Sequence, residues 1–147
     1  MTEPRLPEKL QDLVGLIESV PDRADRIQLL IDIADRFPGV PARIAERPYP
    51  ASHKTPACES EVYVFSEPLP DGTLRYHFAV ENPQGISAKA TAVVLAESLS
   101  GLPCHEVLRV PRDVVLRLFG RELSLGKGLG LMGMVAMVHH LTERAHV

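Results

Sequence analysis

The residue with the most chemistry available to it is Cys58. It sits in the run Tyr49-Pro50-Ala51-Ser52-His53-Lys54-Thr55-Pro56-Ala57-Cys58-Glu59-Ser60-Glu61-Val62-Tyr63-Val64. A proline-punctuated stretch hands over to a β-branched and aromatic run, so the thiol falls on the last loop residues before a strand. Loops on rigid scaffolds are where reactive groups are commonly mounted. Three roles are open to such a thiol: a small buried hydrophobe, a metal ligand or a sulfur nucleophile. The metal role has little support from spacing, because Cys58 and Cys104 are far apart and neither belongs to a Cys-x-x-Cys pair. His53, His105, His139 and His140 would have to converge in space. The nucleophile role requires a thiolate. His53 and Lys54 favour the anion and Glu59 and Glu61 disfavour it, so activation is left to the fold or to a partner.

Other candidate residues carry weaker signals. His53 is placed to orient the loop or to take a proton from Cys58, and Ser60 to make a loop hydrogen bond. Lys89 heads a buried helix, and Lys127 lies in a glycine-rich segment where it could hold the cysteine loop. Cys104, after Pro103, reads as structural, with a resolving role open only if it lies near Cys58. His139 and His140 read as partners of a helix C-terminal dipole. Gly128-Leu129-Gly130-Leu131-Met132-Gly133 fits G-x-G-x-x-G, but a dinucleotide site needs a βαβ unit and a later acid for which no room remains. Gly126-Lys127-Gly128 fails as a phosphate loop, having no Ser or Thr after the lysine.

The chain has 147 residues, 45% hydrophobic and 24% charged, which suits one globular domain spanning 1–147. A net charge of −3, with basic residues dispersed among acids, argues against a nucleic-acid partner. The expected setting is the cytoplasm: no signal peptide is recognised, no apolar run suits a membrane span, and two cysteines fit a reducing compartment.

These residues need positioning elements, and the patterning predicts them. Leu10, Leu13, Val14 and Ile17 mark a first amphipathic helix with Pro7 in its first turn. Asp22 caps a second, with Ile27, Leu30, Ile31 and Ala34 inward. Residues 38–57 form a proline-rich loop, interrupted by a short helix around Ala42–Glu46. Glu61–Phe65 is a strand covered on both faces, and Pro70-Asp71-Gly72-Thr73 turns it into a second strand bearing Leu74, Tyr76, Phe78 and Val80. Ile86-Ser87-Ala88 reads as a short third strand. A buried helix over Lys89–Ser98 follows, then short helices after Pro103 and over Arg112–Phe119. A last helix covers Leu129–Arg144, with Leu131, Met134, Val135, Val138 and Leu141 inward. The class is α+β: a small antiparallel sheet of about three strands packed with helices.

The segment around Cys58 resembles the SufE family of sulfur acceptors in iron–sulfur cluster assembly. That family's pattern is Y-P-x-x-H-x-V-x-G-C-[QE]-S-x-V-[WY], and Tyr49, Pro50, His53, Cys58, Glu59, Ser60, Val62 and Tyr63 fall in register. The resemblance extends through the helical hairpin, the Asp-Gly turn and Lys89. Two departures stand out. Ala57 replaces the family's Gly, costing about 1 kcal/mol if that position requires a positive φ. Lys127 and Leu129 replace the Arg and Asn of L-[ST]-P-[ST]-R-x-N-G-L, which keeps a charge but loses the planar fork of arginine. The resemblance implies a SufE/IscU-like fold and a persulfide carried on Cys58, supported by His53, Glu59 and Ser60. Lys89 and Lys127 would hold the loop or meet a partner. It implies no metal and no bound cofactor, the pyridoxal phosphate belonging to a SufS-like cysteine desulfurase. It also implies delivery to a SufBCD-like scaffold, and a carrier without independent turnover. A thiol oxidoreductase and a metal- or cluster-binding scaffold domain are the alternatives.

Overall fold

The computed structural model describes residues 6–56, 60–120 and 124–146. Two helices open the chain, α1 (Glu8–Glu18) and α2 (Arg23–Ala34). Pro7 stands just before α1, where its missing N–H costs nothing. The Asp22 carboxylate accepts from the Asp25 N–H and caps α2. On α2 the inward residues are Leu30, Ile33 and Ala34. This corrects the expected stripe, since Ile27 is 42% exposed. The apolar arc of α2 is wider than the strip that α3 can cover, and Ile27 and Ile31 fall on its open edge.

Strands β1 (Val62–Pro68) and β2 (Leu74–Val80) form an antiparallel hairpin, with Val64 opposite Phe78 and Ser66 opposite Tyr76. The sheet has two strands rather than about three. Ile86-Ser87-Ala88 opens the helix α3 (Ile86–Leu99) instead. Asn82 makes an Asx turn to the Gln84 N–H, and the chain bends into helix at Gly85 before a strand could pair. The outer edge of β1 is met by an isolated bridge between Lys54 and Tyr63. The expected helix at 42–46 is only a turn, in which the Ile44 and Ala45 N–H groups both bond the Pro41 carbonyl.

Helix α3 is apolar nearly all round and is buried between α2, β2 and α1. The short helices α4 (Cys104–Leu108) and α5 (Val114–Phe119) follow, α5 ending at Gly120 with φ 60°. The last helix, α6 (Leu125–His146), starts at Leu125 rather than at the expected Leu129. Its glycines are poor helix formers, about 1 kcal/mol each relative to alanine, yet Gly128 and Gly130 are buried and packing overrides propensity. Ser124 caps it, accepting the Lys127 N–H on its hydroxyl. Leu131, Met134, Val135 and Val138 enter the core and Leu141 packs against it. Because α6 runs to His146, His139 lies well inside the helix rather than in its last turn. Burial and the Arg112 charge lower its pKa, so it does not serve the helix dipole as a cation.

Across the core, the Thr142 hydroxyl donates to the Val138 carbonyl, so its oxygen accepts from the Tyr76 phenol at 2.5 Å. Burial pushes the Tyr76 phenol up to about 12 from an ordinary 10.0. Between these values the unfolded chain has lost a proton that the native state keeps, so stability falls as pH rises. Urea titration across this range should show Tyr76→Phe lacking that component of alkaline destabilisation. At neutral pH the same variant should lose about 1 kcal/mol for the missing hydrogen bond.

Candidate functional site

Cys58, with Ala57 and Glu59, lies outside the described residues; what the structure defines is the mount on either side. The N-terminal arm begins with the long loop, which is fastened to the outer face of the hairpin. Tyr49 packs on Tyr63 and Phe65, with ring centroids 5.2 and 5.7 Å apart. His53 stacks on Phe65 at 4.5 Å, and its Nδ1 lies 2.8 Å from the Val64 carbonyl, which can only accept. Nδ1 therefore carries the proton, and the ring is committed to holding the loop. Arg43 pairs with Glu67 and Arg47 with Glu81, tying the same loop to β1 and to the end of β2. With His77 also donating, the Glu67 carboxyl is held down to about 2. Both arginine pairs are exposed, so they add direction more than stability.

Thr55 and Pro56 end this arm. The Thr55 N–H bonds the Val62 carbonyl at 2.7 Å, extending the sheet edge by one rung. Thr55 is fully buried against α6. A Cβ built on Gly133 would stand 3.0 Å from Thr55 Cγ2 and 3.1 Å from the Pro56 carbonyl oxygen. A side chain here would crowd both contacts, and glycine lets α6 lie this close without displacing them.

The C-terminal arm is built the same way. The Ser60 and Glu61 carbonyls accept from the Asn82 and Glu81 N–H groups, at 3.1 and 3.2 Å. Glu61 has φ 50°, a left-handed conformation that costs an ordinary residue about 1–2 kcal/mol. It swings the chain out of β1 at the point where the cysteine segment begins. Ser60 lies against Gly85, where a Cβ would sit 3.0 Å from the Ser60 hydroxyl oxygen and 3.0 Å from Val80. Lys89 closes this region from behind, its Nζ donating to the Pro83 carbonyl at 3.2 Å.

Beside Ser60 opens a cleft of about 380 Å³, floored by the starts of α3 and α6, with Ser87, Gly126, Lys127 and Gly130 among its walls. Of the residues expected at the site, Ser60 and Lys127 line this cleft, whereas His53 and Lys89 brace the loop and the turn around it. Cys104 is half-buried near the Tyr76 phenol and does not line this cleft. Among the described residues, no three His, Cys, Asp or Glu side chains gather where they could hold a metal. No described helix is long and apolar enough to cross a membrane. Nothing in the sequence marks the close approaches at Gly85 and Gly133 or the left-handed Glu61. A close approach between segments distant in sequence leaves no local signal, and glutamate has no special preference for positive φ.

An α+β scaffold carrying this hairpin and cysteine mount defines the class, and comparison supplies the family. Residues 11–142 match the SufE domain, described as an Fe-S metabolism associated domain, and the chain belongs to that family. Its role accordingly lies in iron–sulfur metabolism. It is 29% identical over 148 aligned residues to an uncharacterized SufE-like protein of Mycobacterium tuberculosis, covering 98% of this chain and 96% of that one. SufE-like protein 1, chloroplastic/mitochondrial, of Arabidopsis thaliana is 25% identical over 134 residues, which are 90% of this chain and 34% of that longer protein. The solution structure of a hypothetical protein from Thermus thermophilus superposes with a TM-score of 0.74 at 25% identity, covering 97% of this chain and 98% of that one.

The two-glycine seat makes a comparative prediction. Gly15 in α1 has open space around it, so Gly15→Ala should raise unfolding stability by about 1 kcal/mol. Gly133→Ala gains the same helix propensity but must push back Thr55 and the Pro56 backbone. Its net effect in urea denaturation should be destabilising, and a stabilisation equal to that of Gly15→Ala would refute the seat.

Proposed function

We propose that this protein is a sulfur carrier whose Cys58 accepts sulfane sulfur from a pyridoxal-phosphate cysteine desulfurase, stimulates that enzyme, and passes the sulfur to an iron–sulfur scaffold. The observation that carries this reading is the division of labour within the family motif. Tyr49, His53 and Tyr63 pack the loop on the hairpin, Val62 accepts the Thr55 N–H of the near arm, and Ser60 accepts the Asn82 N–H in the far arm. With these residues occupied in mounting, Cys58 is the sulfur nucleophile that the motif offers.

The transfer is a thiol–disulfide exchange. The Cys58 thiolate attacks the outer sulfur of the enzyme's persulfide, R–S–SH. A new S–S bond forms to Cys58 and the old one breaks. The enzyme's cysteine leaves as a thiolate, so atoms, electrons and charge balance without an outside oxidant. A second exchange of the same kind hands the sulfur on. Lys127, on the wall of the cleft, supplies positive charge where an anionic sulfur would pass. The donor would be SufS-like and the acceptor SufBCD-like, in a reducing compartment such as the cytoplasm, where free thiols persist.

Incubation with a cysteine desulfurase and free cysteine, followed by peptide mass spectrometry, tests this reading. One extra sulfur, removed by reductant, should appear on the Cys58 peptide. Cys58→Ser should abolish the acceptance while retaining the fold, and Cys104→Ser should leave it intact. An unmodified Cys58 peptide after incubation with a cognate, turning-over desulfurase would contradict the proposal.

A further inference from the structure

A smaller, more apolar groove of about 200 Å³ lies between α2, the start of α3 and the end of α5. Its volume suits a single large apolar side chain. Ile27, Leu30, Ile31, Ile86 and Phe119 make its walls, and Ile27 and Ile86 are 42% and 45% exposed. Isolated exposed isoleucines are ordinary, but two converging on one depression make a continuous apolar surface. Among the described residues lining the groove, the charged ones are Arg23, Arg26 and Lys127, all basic, although the chain as a whole has a formal charge of −3. Arg26 is held in place, its Nε and Nη2 donating to the Val20 carbonyl at 3.3 and 3.2 Å. The groove shares Ile86, Ser87 and Lys127 with the cleft beside Ser60, so whatever fills it reaches the edge of the cysteine mount.

We infer that this groove is the anchor point for the sulfur donor itself: the desulfurase inserts one apolar side chain, flanked by carboxylates, between Ile27 and Ile86. The inference rests on the carrier reading of Cys58. An apolar anchor in a pre-formed pocket, ringed by complementary charge, is the arrangement in which a few residues dominate binding. Anchoring here leaves the rest of the donor's surface over the larger cleft, which Ser60, two residues after Cys58 in the chain, lines. It also gives α2 a reason to keep Ile27 on its open edge, where the core makes no use of it.

The test titrates each variant against a cysteine desulfurase charged with free cysteine, reading both the half-saturating concentration and the transfer rate at saturation. Ile27→Asp should raise the half-saturating concentration about tenfold, the scale of an interface hot spot, with transfer at saturation retained. Ile27→Ala should move it less in the same direction. Leu16→Asp, at an exposed leucine of α1 that lines neither cleft, should behave as wild type. Added salt should weaken wild-type half-saturation, as a basic rim requires. Unchanged half-saturation in both Ile27 variants, with wild type transferring sulfur normally, would overturn the docking site and leave the carrier reading standing. A fall in the saturated rate alone would also overturn it. A wild-type protein that accepts no sulfur would bring down both.

Discussion

A Cβ at Gly85 or Gly133 would stand only 3.0 Å from its nearest neighbours, and the segments that flank Cys58 in the chain are seated at these two contacts. Gly133 brings α6 against Thr55 and Pro56; Gly85 brings the start of α3 against Ser60. The two arms of the cysteine segment are thus pressed onto two different helices, while the same arms are hydrogen-bonded to the hairpin through Val62 and Asn82. A glycine inside a helix costs stability relative to alanine. At Gly133 that cost accompanies a close approach to Thr55 and Pro56 that a Cβ would crowd.

The rest of the fold holds those two helices still. Helix α3 is buried on nearly every side, and α6 sends Met134, Val135 and Val138 into the core with Thr142 bonded to Tyr76. The proline-rich loop is long but not loosely attached. Aromatic packing from Tyr49 and His53 fixes it to β1, and two exposed ion pairs set its course. The chain on either side of Cys58 is therefore held by the hairpin and by two helices.

Much of this was legible in the chain because periodicity reports burial directly. The alternation of Leu74, Tyr76, Phe78 and Val80 marked β2, and the apolar run after Lys89 marked the central helix. The motif around Cys58 pointed to the family before any contact was known. What escaped was decided at long range. Ile86-Ser87-Ala88 opens α3 rather than a strand, because the start of that helix packs at Gly85 against Ser60 and Val80. Helix α6 begins among glycines because packing, not propensity, sets its start. On α2, Ile33 rather than Ile27 or Ile31 faces the core, and nothing in an arc of similar residues says where the neighbouring helix will lie. The glycine seats and the left-handed Glu61 belong to the same class: each is a property of two segments meeting.

Both the carrier reading and the docking groove presuppose that the arms beside Cys58 are rigid. Amide hydrogen exchange of the whole protein measures this directly at the Thr55 and Asn82 N–H groups, the rungs that close the two arms. Protection close to that of the β1–β2 hairpin is the expected result. Exchange of either amide at the rate of an open loop would contradict the account.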